Sequence, residues 1–152
     1  MSRERQSILL VLATAAILAT GFVVALRWSL SPPSGAVEPA WDREACARCR
    51  MLVSDPRFAA QRQLEDGEIQ HFDDPGCLLL HRHENPAPER AVYFHAHSGD
   101  DWISLEEVAF IAEEPSPMGY GLAAIPREET GGMSVEEALS SALSRDAGRG
   151  AP

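Results

Sequence analysis

The chain has 152 residues, of which 13 are basic and 23 acidic, for a formal net charge of −10 at pH 7, and every basic residue is arginine. That balance argues against nucleic acid as a partner, since binding it depends on neutralising phosphates with cations, and the absence of lysine excludes Schiff-base chemistry. Three cysteines, an odd number, do not describe a paired disulfide framework.

Ile8 to Leu26 is uncharged over 19 residues, preceded by Arg3 and Arg5 and closed by Arg27. A helix needs ~20 apolar residues to cross the hydrocarbon core, whereas the apolar region of a cleavable signal usually has only about 7 to 15. Residues 1–27 therefore read as an uncleaved transmembrane anchor. The flanking arginines place the N-terminus in the cytoplasm and predict a single-pass protein of the inner membrane with its C-terminal domain outside the cytoplasm. Residues 28–40 hold Pro32, Pro33, Gly35, Pro39 and three serines, the composition of a spacer. Residues 41–145 suffice for one small domain, and 146–152 read as a flexible tail. Residues 28–152 carry 10 arginines against 22 acids, a surface suited to metal cations or basic protein patches.

Within the domain, Arg57 to Leu64 and Ile69 to Phe72 predict a hairpin turning at Asp66-Gly67. Asp74 is placed to cap, and Pro75 to open, a short helix through Cys77 and Leu78 to about His83, which Asn85-Pro86 ends. Ala91 to Ala96 and Trp102-Ile103 repeat the strand pattern around Gly99, 32 residues after Gly67. Val108 to Ile111 predicts a further strand, and Leu122 to Ile125 is an apolar run. Ser134 and Glu137 form a capping box ahead of a helix spaced by Val135, Ala138, Leu139, Ala142 and Leu143. The expected class is α+β, in two hairpin-plus-helix units.

Cys46-Ala47-Arg48-Cys49-Arg50-Met51 carries the chemistry, with two thiols and a thioether in six residues. A Cys-x-x-Cys pair serves as half a zinc site, a redox dithiol or a soft-metal site. Met51 favours Cu(I), which polarizable sulfur suits, although the same residue also reads as the start of an apolar strand packed in the core.

Together with Phe72-Asp73-Asp74-Pro75-Gly76-Cys77, Trp102-Ile103 and Pro117-Met118-Gly119-Tyr120-Gly121-Leu122, this segment resembles the NosL family, over roughly residues 41–140. The resemblance implies a membrane-attached periplasmic copper protein of two small hairpin-and-helix units, associated with maturation of nitrous oxide reductase in denitrification. Its expected partners are that apo-cuproenzyme and a copper or ABC transporter component. The family's Cys-Gly-Met motif falls on Cys49-Arg50-Met51, so Cys49 and Met51 become the expected Cu(I) ligands. The chain departs at Arg50, where glycine would adopt an unusual backbone angle at little cost. It departs again at the anchor, where family members commonly carry a lipidated cysteine and Ala19-Thr20-Gly21 here runs into Phe22.

Met118 is a further candidate ligand, set in a glycine-rich loop that can aim its thioether at the same ion, and ordinary packing is its alternative. Cys46 reads as a third sulfur donor or a disulfide partner. Asp73 and Asp74 read as helix capping and Cys77 as a buried small hydrophobe. His71 simply precedes these acids, while His81, His83, His95 and His97 are candidates for a weaker imidazole site. No nucleophile triad, phosphate loop or glycosidase-like carboxylate pair stands out, so no enzyme activity is expected. The principal alternative is a dithiol oxidoreductase using Cys46 and Cys49, and another is a zinc-stabilised interaction module, which needs four ligands.

Overall fold

The computed structural model describes residues 3–29, 33–129 and 131–149, and the chain divides into two units, Met1–Ser34 and Gly35–Pro152. Among the described residues the first contains one helix, α1 (Arg3–Ser29). Its segment Arg5–Arg27 contains an 18-residue stretch with a mean hydropathy of 2.6, none of it buried, and is long and apolar enough to cross a membrane, as a signal sequence also is. Ser7, Thr14 and Thr20 each return a hydroxyl to the carbonyl four residues earlier, which leaves their polar groups satisfied inside the helix, as a hydrocarbon surround requires.

The second unit contains the rest of the secondary structure. The expected first strand starts later than its apolar pattern suggests. Asp55 caps a 3-10 turn, Pro56–Phe58, by accepting the Arg57 N–H, and proline at the first position fits that turn better than a ladder. Strand β1 (Ala60–Leu64) then pairs antiparallel with β2 (Ile69–Phe72) across the Asp66-Gly67 turn, where Gly67 takes φ +96°. Helix α2 (Pro75–Glu84) follows with Asp74 as its cap, as the sequence predicts. Strands β3 (Glu89–His95) and β4 (Trp102–Ser104) come next, then β5 (Val108–Ala112), β6 (Leu122–Pro126) and helix α3 (Val135–Arg149).

The class is α+β, but the hairpins are not shared out evenly. β3 pairs with β1, so the first two hairpins form one antiparallel sheet in the order β2-β1-β3-β4, and a third hairpin, β5-β6, forms its own two-stranded sheet before α3. Phe94 of the large sheet meets Phe110 of the small one edge to face, with ring centroids 5.0 Å apart, an arrangement aromatic quadrupoles favour. Leu78 and Leu80 of α2 and Ala138 and Ala142 of α3 join them in one core. Each fully buried Phe or Leu contributes about 1.5–3 kcal/mol.

β1 is buried on both faces, and alternation explains how. Gln61 and Gln63 point to one side, where Gln61 exchanges hydrogen bonds with the backbone of Val37 (3.0 and 2.5 Å) and Gln63 donates to the Gly35 carbonyl (2.7 Å). The C-terminal half of the segment with spacer composition is thereby strapped across the sheet. Arg62 points to the other side, 1% exposed, paired with Glu89 at 2.5 Å and donating to the Asn85 carbonyl at 3.0 Å. A buried guanidinium needs that many partners.

The capping box forms as expected, with the Ser134 N–H on Glu137 (2.8 Å) and the Glu137 N–H on the Ser134 hydroxyl (3.2 Å). α3 runs on to Arg149 rather than ending near 145, because Asp146 in its last turns is tied into the body of the domain. Residues 150–152 of the expected tail lie outside the described residues.

Candidate metal centre

Residues 42–53 fold back on themselves. Val53 and Glu44, Leu52 and Ala45, and Met51 and Cys46 face each other, with the Cys46 N–H on the Met51 carbonyl at 2.7 Å and the Arg50 N–H on the Cys46 carbonyl at 3.1 Å. The turn closes through Arg50 at φ +69°. This is the left-handed angle that a glycine would take freely and that costs an L side chain about 1–2 kcal/mol. The backbone geometry expected for a glycine is thus kept by an arginine. The tight turn aims peptide N–H groups at sulfur, that of Cys49 at the Cys46 sulfur and that of Met51 at the Cys49 sulfur, and the Asp73 N–H, from the junction of β2 and α2, also reaches the Cys46 sulfur.

The Ala47 N–H bonds the His71 carbonyl at 2.9 Å, which lays this loop against the end of β2 and the start of α2. Asp73 and Cys77 stand there. The Cys46, Cys49 and Cys77 sulfurs and a carboxylate oxygen of Asp73 all lie within 4.8 Å of one another. Cys46 and Cys77 are fully buried, and Asp73 is 1% exposed. Cys49 is half-buried and donates its thiol to Asp73 Oδ1 at 3.2 Å. The other carboxylate oxygen, Oδ2, is buried with no hydrogen bond of good geometry, an uncommon state for such an atom.

The four groups share their protons unequally. A hydrogen bond from the Cys77 thiol draws Cys46 down to about 4, with help from the N–H groups of the turn and from Asp73. Burial pushes Cys49 up to about 12. Burial, and then the hydrogen bond and charge of Cys46, lift Asp73 to about 7. Cys77 is held well above the ordinary thiol range, chiefly by the bond it gives to Cys46. Near neutral pH this is one thiolate surrounded by donors, beside a carboxyl close to its midpoint. Three soft donors and one hard one converging on a point, with a buried oxygen lacking a partner, form a set that can hold a metal ion.

Two further connections hold the site in shape. Arg48, between the loop cysteines, reaches Glu84 at the end of α2 (2.8 Å), Asp146 of α3 (3.1 Å) and the Tyr120 hydroxyl (2.8 Å), which itself donates to Asp146 (2.7 Å). Asp74 caps α2 through the Gly76 N–H (2.8 Å) and also accepts the Met118 N–H (3.1 Å), which draws the glycine-rich loop to the same helix end. The ring of Tyr120 lies so close over Gly76 that a Cβ there would overlap it.

Of the expected ligands, Cys46 and Cys49 are in the group. Met118 is partly buried against the core with its backbone fixed to Asp74, and the Met51 side chain is 49% exposed beside Cys49. Asp73 and Cys77, read from sequence as a cap and a buried hydrophobe, both contribute donors, while capping belongs to Asp74 alone. A signal for them existed in the spacing: a residue just before the cap and the third residue of the helix both sit at the helix N-terminus. His71 is a tie rather than a ligand, its Nδ1 2.7 Å from Glu44 and its Nε2 3.0 Å from the Val37 carbonyl. His95 is packed between Trp41 and Trp102, and His97 against Phe58. Among the described residues, no histidine joins a group of three or more convergent donors.

Fold and site together define a small α+β domain, following an N-terminal apolar helix, with a buried three-cysteine, one-aspartate group that can hold a metal. No family model, curated protein or solved structure matches the chain.

Proposed function

We propose that this chain is a membrane-anchored, extracytoplasmic Cu(I) chaperone. It receives copper from a transporter component and passes it by ligand exchange to an apo-cuproenzyme, which the resemblance to the NosL family makes nitrous oxide reductase. The observation that carries this reading is the convergence of three cysteine sulfurs within 4.8 Å, because thiolates select soft ions and Cu(I) is the softest common candidate. A carrier also needs a site that opens to a partner, and the half-buried Cys49 offers one edge where an incoming donor can bind before an old bond breaks. In this reading the chain turns over no substrate, and α1 keeps it at the membrane where donor and recipient meet.

The dithiol oxidoreductase reading has one observation in its favour, the lowered Cys46 thiol, since thiolates attack disulfides. Against it, Cys46 is fully buried, while the accessible Cys49 is the thiol that burial pushes up. An exchange enzyme needs the reverse.

The test is an anaerobic competition titration of the reduced full chain in detergent micelles against a chromogenic Cu(I) chelator. Tight one-to-one binding by the wild type, absent when all three cysteines are serine, is the expected result. A reduced wild type that cannot compete overturns the chaperone reading. Copper content of nitrous oxide reductase in cells carrying Cys49→Ser, Met51→Ala then tests the recipient, and full maturation by that variant would remove it.

A further inference from the structure

The three thiols of the site differ in depth and in what holds them. Cys77 is fully buried in the first turn of α2, and that turn is fixed by the Asp74 cap and by Tyr120 packed on Gly76. Cys46 is also fully buried, and its backbone is bonded on both sides, its N–H to Met51 and its carbonyl to Arg50. Cys49 sits at the tip of the turn. It is followed by the exposed Arg50 and then by Met51 and Leu52, which are 49% and 50% exposed. Its thiol rests on Asp73 Oδ1 at 3.2 Å.

We infer that Cys46 and Cys77 are the retaining ligands of the site and that Cys49 is the exchanging ligand, through which a soft cation enters and leaves. This assignment rests on the Cu(I) reading above and deepens it. In the empty protein Asp73 holds the Cys49 thiol in place. On transfer, a partner's thiolate bonds the Cu(I) as the Cu–S bond to Cys49 breaks, further partner donors then displace Cys77 and Cys46 in turn, and Cys49 and Cys77 each take up a proton, Cys49 returning to Asp73. The incoming thiol releases its proton to solvent, and copper stays in the +1 state throughout. Met51 and Leu52 form the apolar rim that the partner covers while this happens.

The experiment uses the reduced full chain in detergent, loaded with one equivalent of Cu(I), comparing wild type with Cys49→Ser and Cys77→Ser. Affinity is read by chelator competition, transfer to glutathione by stopped flow, and sulfur coordination by X-ray absorption. Cys49→Ser is expected to keep one Cu(I) with two sulfur neighbours, bind it about tenfold more weakly and transfer it at least about tenfold more slowly, whereas Cys77→Ser loses on the order of 100-fold in affinity or more, beyond the roughly 10–100-fold that losing an outer-shell partner costs. A Cys49→Ser chain that releases its copper, or a Cys77→Ser chain that binds as wild type does, overturns the assignment. Should Cys77→Ser fail to fold, the sulfur count of the Cys49→Ser chain decides alone: two supports the assignment and fewer removes it. A wild type that binds no Cu(I) overturns the chaperone reading itself, and this assignment with it, a result distinct from any reversal between the two variants.

Discussion

Arg50 is the residue whose chemistry and conformation disagree most. Its φ of +69° places an L side chain where glycine is unstrained, so Arg50→Gly is expected to stabilise the reduced apo-protein by on the order of 1 kcal/mol, part of the relieved strain being offset by the entropy glycine adds to the unfolded chain. A denaturant midpoint that fell would show that the arginine side chain contributes more than its backbone angle costs. Asp73 carries the pH dependence. Its carboxyl titrates at about 7 when folded and near 3.9 when unfolded, so the folded state binds the extra proton between these values, and this group's contribution to stability falls as pH rises from about 4 to 7. Cys46 has the opposite sign. Its folded value of about 4 lies below the unfolded thiol value of about 8.5, so its contribution grows from about pH 4 upward. Asp73→Asn deletes the falling part, and under reducing conditions its stability should climb more steeply between pH 4 and 8 than that of wild type. Parallel urea-midpoint profiles for the two proteins would refute this. Residue identity made the Arg50 problem visible in advance. It could not reveal the role of Asp73, because a carboxylate beside a cap looks the same whether or not three thiols face it.

At the scale of elements, the site is a loop pressed against a helix start and held by Arg48. That side chain is 19% exposed and its acidic partners, Glu84 and Asp146, are 45% and 36% exposed, so solvent screens the ion pairs and each is worth at most about 1 kcal/mol. The value of Arg48 lies in joining the thiol loop, α2, α3 and Tyr120 at one point. Arg48→Ala is expected to cost about 1–2 kcal/mol in stability and to weaken metal binding by about tenfold, the lower end of the effect of outer-shell partners. Arg48→Lys should recover little, since one ammonium cannot span the same three acceptors. Denaturation and Cu(I) competition on both variants check this, and unchanged affinity in Arg48→Ala would show that the loop holds its own shape. Helix ends were readable where local chemistry governs them, at Asp74-Pro75 and at Ser134 with Glu137. They were not readable where distant partners govern them: α3 continues past residue 145 because Asp146 bonds Arg48, 98 residues away.

For the whole molecule, α1 sets the expected behaviour in cells. If it remains attached as an anchor, the chain should sediment with membranes, resist extraction by carbonate and high salt, and be released by detergent, because ~20 apolar residues hold far more strongly than surface charge. Recovery of a chain lacking α1 in the soluble fraction would instead mark that segment as a cleaved signal. The sequence by itself determined the apolar helix, the acidic domain, the α+β class, the cap positions and the Cys46-Cys49 half of the site. All of these depend on neighbours close in the chain or on composition. Tertiary structure alone decided that two hairpins share one sheet, that Gly35 and Val37 lie strapped across it, and that Asp73 and Cys77 complete the donor group. Those outcomes depend on which buried surfaces meet, and a thiol in an apolar run gives no local sign of whether leucines or two other thiols will face it.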